Sequence, residues 1–320
     1  MTRVSVVIAA WNAAATLERA VASAVAQEGV EVEILVVDDC SSDGTAELID
    51  MLSTLHASVV PLRTPTNSGP SAARNLGLAA AHGDWIAVLD SDDVFEPGRL
   101  AVLVAHAEAN HLDVVFDNLR IAMVGDTEPP RTLVSDKHAP LLAGLWTIPG
   151  YVELNHSYCS PVLTGFLKPL FRTCFLRANH LAYDPQLRNS EDYLLILECL
   201  CRGARIGYLH RPLYLYWVSS ASLSGQFNPA AHARFLLAET ALLAREQARL
   251  QPGEAQAIRD HLQAARLAGE TNALFGHLRG RRVGAALGLL LRRLADAPVH
   301  LGRVLKSASN KVLSINTRGR

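Results

Sequence analysis

The chain has 320 residues, 49% apolar and 19% charged, the make-up of a globular protein with room for one large or two smaller domains. Lys plus Arg (30) nearly balances Asp plus Glu (31), which excludes a polyanion binder in the chain as a whole, so no nucleic-acid partner is expected. Five cysteines, Cys40, Cys159, Cys174, Cys199 and Cys201, form no C-x-x-C pair and no zinc spacing, which points to free thiols in a reducing compartment.

Met1-Thr2-Arg3 passes straight into a strand-like run, leaving no space for a signal peptide. The longest apolar run of the C-terminal part, Val283 to Leu291, is nine residues, against the roughly 20 a membrane-spanning helix needs, so a cytoplasmic location is expected. Val4 to Ala10 is β-branched and apolar and reads as a buried first strand. Trp11-Asn12 opens a turn, and Thr16 is placed to cap a helix whose Leu17, Ala20, Val21, Ala24 and Val25 recur at helical spacing. Glu33 to Val37 is a second strand stopped by Asp38-Asp39; Ser41, Ser42 and Asp43 supply turn and capping groups before a helix from Ala46 to Leu55. Val59 to Leu62 is a third strand, Asn67 to Ser71 a loop, and Ala72 to Ala81 a helix closed by His82-Gly83. A fourth apolar run, Trp85 to Leu89, ends abruptly in Asp90-Ser91-Asp92-Asp93. This alternation predicts βαβ units and a parallel sheet.

Two acidic strand ends, Asp38-Asp39 and Asp90 to Asp93, therefore point to one edge of the sheet, where ligands of open α/β folds bind. Three carboxylates within four residues repel one another unless solvent or a cation offsets the repulsion, so the cluster reads either as a solvated turn or as a divalent-metal site. The first strand is followed by Ala9-Ala10-Trp11-Asn12-Ala13-Ala14 and not by G-x-G-x-x-G, and no P-loop occurs, which leaves Rossmann-type and P-loop chemistry weak.

Four stretches in order, Val6 to Asn12, Val36-Val37-Asp38-Asp39-Cys40-Ser41-Ser42-Asp43-Gly44-Thr45, Asn67-Ser68-Gly69-Pro70-Ser71-Ala72-Ala73-Arg74-Asn75 and Val88-Leu89-Asp90-Ser91-Asp92-Asp93, resemble the inverting family 2 glycosyltransferases of GT-A fold. The similarity runs from about Val4 to Ser224 and is of the bacterial exopolysaccharide, succinoglycan kind. It implies a Rossmann-like mixed sheet flanked by helices and a nucleotide-sugar donor such as UDP-glucose. One departure is visible: the family's Pro-x-Tyr-Asn is here Ala9-Ala10-Trp11-Asn12, where Trp11 can still stack on a pyrimidine. By the resemblance, Asp39 reads the uracil N–H with Arg74 near the same base, Asp38 supports the pocket, and Ala9, Trp11 and Ser91 belong to the donor site. Asp90 contacts the ribose, Asp92 binds Mg2+ or Mn2+ on the diphosphate, and Asp93 assists behind it.

A helix over Arg99 to Asn110 and a strand over Val114 to Asp117 come next. Gly125 to Gly150 reads as an irregular acceptor-side insertion. Lys168 and Arg172, around the strand-like Pro169-Leu170-Phe171, either meet an acceptor or a phosphate or are ordinary surface cations; a helix then runs to about Asn179. Glu191-Asp192 stands before the apolar helical stretch Leu194 to Leu200, where a carboxylate is ordinarily a helix-start residue. The family, however, has a Glu-Asp pair about 100 residues beyond its Asp-x-Asp, and Asp192 lies 100 residues after Asp92. The resemblance thus makes Asp192 the catalytic base and Glu191 a neighbour that positions either the base or the acceptor. Arg205 to Trp217 is a last strand. His210 is a candidate metal or diphosphate ligand or else a packed histidine, and Ser219 to Gly225 resembles a donor-covering segment.

Beyond Phe227 three helical stretches are expected, Ala231 to Leu250, Glu254 to Phe275 and Arg282 to Leu294, broken at Gln251-Pro252-Gly253 and Gly276 to Gly280. From Arg279 to Arg320 ten cations face one acid, Asp296, which suits either an amphipathic segment on an anionic membrane or a solvated helical face. The expected division is a transferase domain over 1–225 and a helical region over 226–320. The expected activity is metal-dependent transfer from a UDP-sugar to a saccharide acceptor, lipid-linked in the version that uses the basic end. The rivals are a nucleotidyltransferase, disfavoured by the lack of a glycine-rich first loop, and a non-catalytic sugar-nucleotide-binding or scaffold protein derived from such a transferase.

Overall fold

The computed structural model describes residues 1–125, 128–155, 162, 164–218 and 228–279, the side chains of 274–279 excepted. The expected donor-covering segment Ser219 to Gly225, the third C-terminal helix, the basic end beyond Arg279 and Cys159 lie outside the described residues.

In β1 (Arg3–Ala10), Val4, Val6, Val7 and Ile8 are fully buried, as a strand covered by helices on both faces requires. After it come α1 (Leu17–Val25), β2 (Glu31–Asp38), α2 (Thr45–Leu55), β3 (Val59–Arg63), α3 (Pro70–Ala80) and β4 (Trp85–Val88). β2 and β4 pair in parallel on either side of β1, and β3 pairs in parallel with β2. Helix α3 lies so close that a Cβ on Gly77 would stand 2.5 Å from Val7 Cγ1, and only glycine fits there.

The second half is β5 (Val94–Phe95), α4 (Arg99–Ala109), β6 (Val114–Met123), β7 (Arg131–Thr132), α5 (Ile148–Leu154), β8 (Pro169–Arg172), α6 (Thr173–Ala178), α7 (Glu191–Cys201), β9 (Ile206–Val218), α8 (Pro229–Glu246) and α9 (Pro252–Arg279). The sheet runs β3-β2-β1-β4-β8-β6-β9-β5, with β7 on β6. β8 is antiparallel to both β4 and β6, so the sheet is mixed.

Several local expectations are corrected. Thr16 stands at the start of α1 but caps no backbone N–H; its hydroxyl donates to the Ala13 carbonyl (3.4 Å). Strand β6 continues to Met123, past the Val114 to Asp117 expected. It does so because Arg99 binds the Asp117 carboxylate, and Asn118 exchanges hydrogen bonds with the Val134 backbone at 2.8 and 3.0 Å, so both polar side chains are satisfied inside the fold. The stretch Gly125 to Gly150 is not wholly irregular: it holds β7, a 3-10 turn at Ala139–Leu142 and the start of α5, with Trp146 stacked on Phe116. Helix α9 runs through Gly276, since one glycine costs a helix only about 1 kcal/mol.

Helices α8 and α9 pack on α7 and α5 and share the sheet's core through Phe235, Leu242, Ile258 and Leu262. The contact includes a buried polar knot, in which the Tyr193 hydroxyl on α7 donates to Glu239 Oε1 (2.8 Å) and His261 Nδ1 meets the same oxygen (2.8 Å).

Candidate active site

The carboxyl ends of β1, β2 and β4 lie side by side, and their loops are tied together. The Asn12 N–H donates to Ser41 Oγ (2.9 Å), the Ser42 N–H to Asn12 Oδ1 (2.9 Å) and the Ala13 N–H to Thr45 Oγ1 (2.8 Å). Asn12 and Cys40 take left-handed backbone to make these turns (φ 49 and 59). Trp11 is left 55% exposed on this rim, a large aromatic face open to a planar ligand. Ala9 lies one step inside, in register with Val37.

Asp38 and Asp39 are both buried. Asp38 Oδ1 accepts from the Ser41 N–H (3.1 Å), while Asp39 accepts from the Ser68 N–H (2.9 Å), the Gly69 N–H (2.7 Å) and the Thr64 hydroxyl (2.7 Å). The Asp39 carboxylate thus organises the loop entering α3, whose Gly69 has φ 88.

Helix α3 brings the two distant acidic clusters together. Ser71, Arg74 and Asn75 share one face, being three and four residues apart. Ser71 Oγ donates to the Leu187 carbonyl (2.7 Å). Asn75 grips Tyr183 twice, donating to its carbonyl (2.8 Å) and accepting from its N–H (2.8 Å). Arg74 donates through Nη1 to Glu191 Oε1 (2.8 Å) and through Nη2 to Asp90 Oδ1 (2.9 Å), with Asp192 Oδ1 3.8 Å away. The loop before α7 is thereby clamped against the end of β4. Arg74, expected beside the base, is a bridge between carboxylates.

Lys168, buried just before β8, completes the bridge. Its Nζ lies 2.7 Å from Asp90 Oδ2 and 3.6 Å from Asp192 Oδ2. Burial would raise the Asp90 pKa, but Lys168 and Arg74 outweigh it and hold the group well below the usual carboxylate range. Glu191 is raised, by burial first and then by Asp192, against the pull of Arg74. Asp192 Oδ1 is buried and accepts no hydrogen bond among the described residues.

In the Asp-Ser-Asp corner, partly exposed Ser91 stands between two acids of different fate. Burial raises Asp92, with Asp90 adding to the rise, against the pull of its own backbone N–H and of the Lys168 and Arg19 charges. Asp93 is fully buried and pushed up to about 8 by burial and then by Asp90 and Asp92. It accepts from the Tyr214 hydroxyl (2.7 Å) and the Trp217 N–H (2.8 Å), stapling the corner to β9. The Arg19 guanidinium caps the corner, donating to the Asp92 carbonyl (2.7 Å) and lying over Trp217 (4.6 Å).

His210 does not join the corner. Its Nε2 meets Asp136 (2.9 Å) and its Nδ1 the Tyr208 hydroxyl (3.1 Å), at the bulge where β9 slips against β6, so both ring nitrogens are engaged elsewhere. Arg172 also leaves the site: it lies over Trp85 (4.3 Å) and donates to the Leu112 carbonyl (3.2 Å) and Glu108 (3.0 Å). Sequence reasoning weighed Lys168 and Arg172 together. The separating signal was available, since Lys168 is flanked by Phe166-Leu167 and Pro169-Leu170-Phe171, and a lysine inside an apolar run needs a buried acid.

The fold and site can be set beside known proteins. A model described as "Glycosyl transferase family 2" matches residues 5–171. The chain belongs to glycosyl transferase family 2. Succinoglycan biosynthesis protein ExoU of Rhizobium meliloti is 34% identical over 312 residues, covering 97% of this chain and 89% of the relative. ExoO of the same organism is 39% identical over 221 residues, covering 69% of this chain and 62% of the relative, so the match spans less than two thirds of that protein. Among solved structures, residues 1–349 of Staphylococcus aureus TarS in complex with UDP-GlcNAc superpose with TM-score 0.59 at 18% identity, covering 90% of each chain. A mannosyltransferase from Pyrobaculum calidifontis in complex with GDP-Man and Mn2+ gives TM-score 0.55 at 17% identity, covering 97% of this chain and 87% of that one. At these identities the structural matches carry the fold, which is GT-A.

For a family 2 member the cation question turns on Asp92. A partly exposed carboxylate, raised by burial and by a neighbouring acid, is a donor that fits a hard divalent ion. Among the described residues no cluster of three His, Cys, Asp or Glu could hold a metal, so further ligands would come from the donor's phosphates and water. Among the described residues no helix is long and apolar enough to cross a membrane.

Proposed function

We propose that this chain transfers a sugar, glucose, with inversion from a UDP-sugar to a saccharide acceptor of a surface polysaccharide. The observation that carries the proposal is the sharing of two buried cations, Arg74 and Lys168, between Asp90 and Asp192, which holds a donor-side acid and an acceptor-side acid in one cleft. A sugar hydroxyl is a poor nucleophile near neutral pH. Asp192, whose side chain stays partly exposed, takes the proton of the hydroxyl as the hydroxyl oxygen attacks the anomeric carbon from the face opposite the diphosphate, and one displacement of this kind inverts configuration. Glu191, tied to Arg74, fixes the base at the start of α7. Trp11 stacks on the uracil, Ala9, Asp38, Asp39 and Ser91 shape the donor pocket, and Asp90 takes the ribose. Mg2+ or Mn2+, held by Asp92, would neutralise the charge that builds on the departing nucleoside diphosphate.

The similarity to two succinoglycan biosynthesis proteins supports the polysaccharide setting, and the UDP-GlcNAc complex of TarS supports a UDP-sugar donor. The ten cations beyond residue 278 extend the reading to a lipid-linked acceptor and a peripheral place on the cytoplasmic membrane face. Co-sedimentation with anionic vesicles, with and without residues 280–320, tests that extension.

Manganese-dependent release of UDP from UDP-glucose, with water as acceptor, tests the core of the proposal without knowledge of the acceptor. Asp192→Asn lowers it about 10²- to 10⁴-fold while Mn2+-dependent UDP binding persists. Full turnover by that variant refutes the base, and undiminished turnover in EDTA refutes the metal. A wild-type chain that binds UDP-sugars yet hydrolyses none and transfers none favours the scaffold reading.

A further inference from the structure

Lys168 reaches its place through the sheet. Strand β8 runs antiparallel to β4 with Leu170 opposite Ala87, so the residue just before β8 lies beside the residues just after β4, where Asp90 stands. Its backbone is fixed as firmly as its head. The Lys168 carbonyl accepts from Arg99 Nη2 (2.9 Å), and fully buried Arg99 forms a bidentate pair with Asp117 at 3.0 and 2.7 Å. Burying an ammonium is costly unless it is paired, and Asp90 alone would satisfy that need. The head nevertheless sits within reach of both Asp90 and Asp192.

We propose that Lys168 is a positioning residue for the base: anchored to β6 through Arg99 and Asp117 and to Asp90 by its ammonium, it sets where the Asp192 carboxylate stands and supplies a positive charge beside it. The inference rests on Asp192 being the base. The charged and titratable groups facing Asp192 are Arg74 from α3, Lys168 before β8, Asp90 after β4, Glu191 on its own helix, Tyr183 in the preceding loop and Tyr151 from α5. Burial, and then the Asp192 charge, push both phenols up, so they stay neutral. Two cations therefore balance three carboxylates, and loss of Lys168 leaves one.

The test is the pH profile of UDP release from UDP-glucose at saturating Mn2+, where Asp92 is held by the cation and its titration does not enter. Lys168→Met moves the acid limb of kcat up by about one pH unit or more, because an opposite charge within about 4 Å lowers a carboxyl by that much. Lys168→Arg keeps the acid limb in place but lowers kcat several-fold at unchanged donor KM, since a planar guanidinium cannot take the ammonium's position. An unmoved limb in Lys168→Met, or wild-type kcat in Lys168→Arg, overturns the inference; where Met prevents folding, the Arg variant decides. Asp192→Asn separates the two readings. If it retains turnover the base assignment falls, whereas an inactive Asp192→Asn beside an unmoved Lys168→Met limb removes the Lys168 role alone.

Discussion

Asn75 offers the sharpest test of how the two acidic clusters are joined, because it touches neither. Its side chain makes two hydrogen bonds to the backbone of Tyr183, both 2.8 Å, and Tyr183 begins the loop that delivers Glu191 and Asp192. Asn75→Ala removes both bonds and leaves a half-buried N–H and C=O without partners. At about 1 kcal/mol per bond, with a further share of the desolvation cost of the abandoned groups, the loss is about 2–3 kcal/mol. That corresponds to roughly 3–5 °C in Tm for a chain of this size. The functional effect is separable: α3 still presents Arg74, and the donor-side loops are unchanged, but the loop before α7 is freed. UDP release from UDP-glucose therefore falls about 10- to 100-fold in kcat, while donor KM stays within about threefold, because misplacement of a catalytic group by about 1 Å costs that order. Scanning calorimetry and initial rates measure both. Wild-type kcat at a lowered Tm would show that the clamp is structural only, and an unchanged Tm would refute the energetic reasoning.

Gly77→Ala places a methyl 2.5 Å from Val7 Cγ1, and the overpacking cost of about 1–3 kcal/mol exceeds or cancels the roughly 1 kcal/mol of helix propensity gained; Val7→Ala in the same chain recovers part of it, as urea midpoints will show. Tyr193→Phe removes the O–H that Glu239 accepts in the buried knot between α7, α8 and α9 and costs about 2 kcal/mol; an unshifted denaturation midpoint would mean that the knot contributes nothing. Burial raises Glu33, but the Ser5 hydroxyl, the His82 N–H and Arg3 outweigh it, so its folded pKa lies below the unfolded 4.5. A depressed acid stabilises above its unfolded value and loses that contribution as pH falls through the folded one. Wild type therefore loses stability on acidification below about pH 4.5 more steeply than Glu33→Gln, and parallel Tm curves would contradict this.

The sequence by itself determined the elements and the chemistry at their ends. Runs such as Val4 to Ile8 and Trp85 to Val88 have no polar face to show to solvent, so they had to be central strands. The acids that stop the second and fourth strands had to lie at one sheet edge, because parallel strands share a direction. What it left open was decided by partners 70 to 120 residues away. Arg74 reads as a helix residue near a base until Glu191 arrives 117 positions later. Lys168 stands in an apolar run that asks for a buried acid, but the register chose which: Leu170 opposite Ala87 places Lys168 beside Asp90 and Arg172 beside Trp85. His210 was placed by a bulge between β9 and β6 that no periodicity announces. Burial patterns specify which face turns inward, whereas only the register between strands specifies which charge meets which.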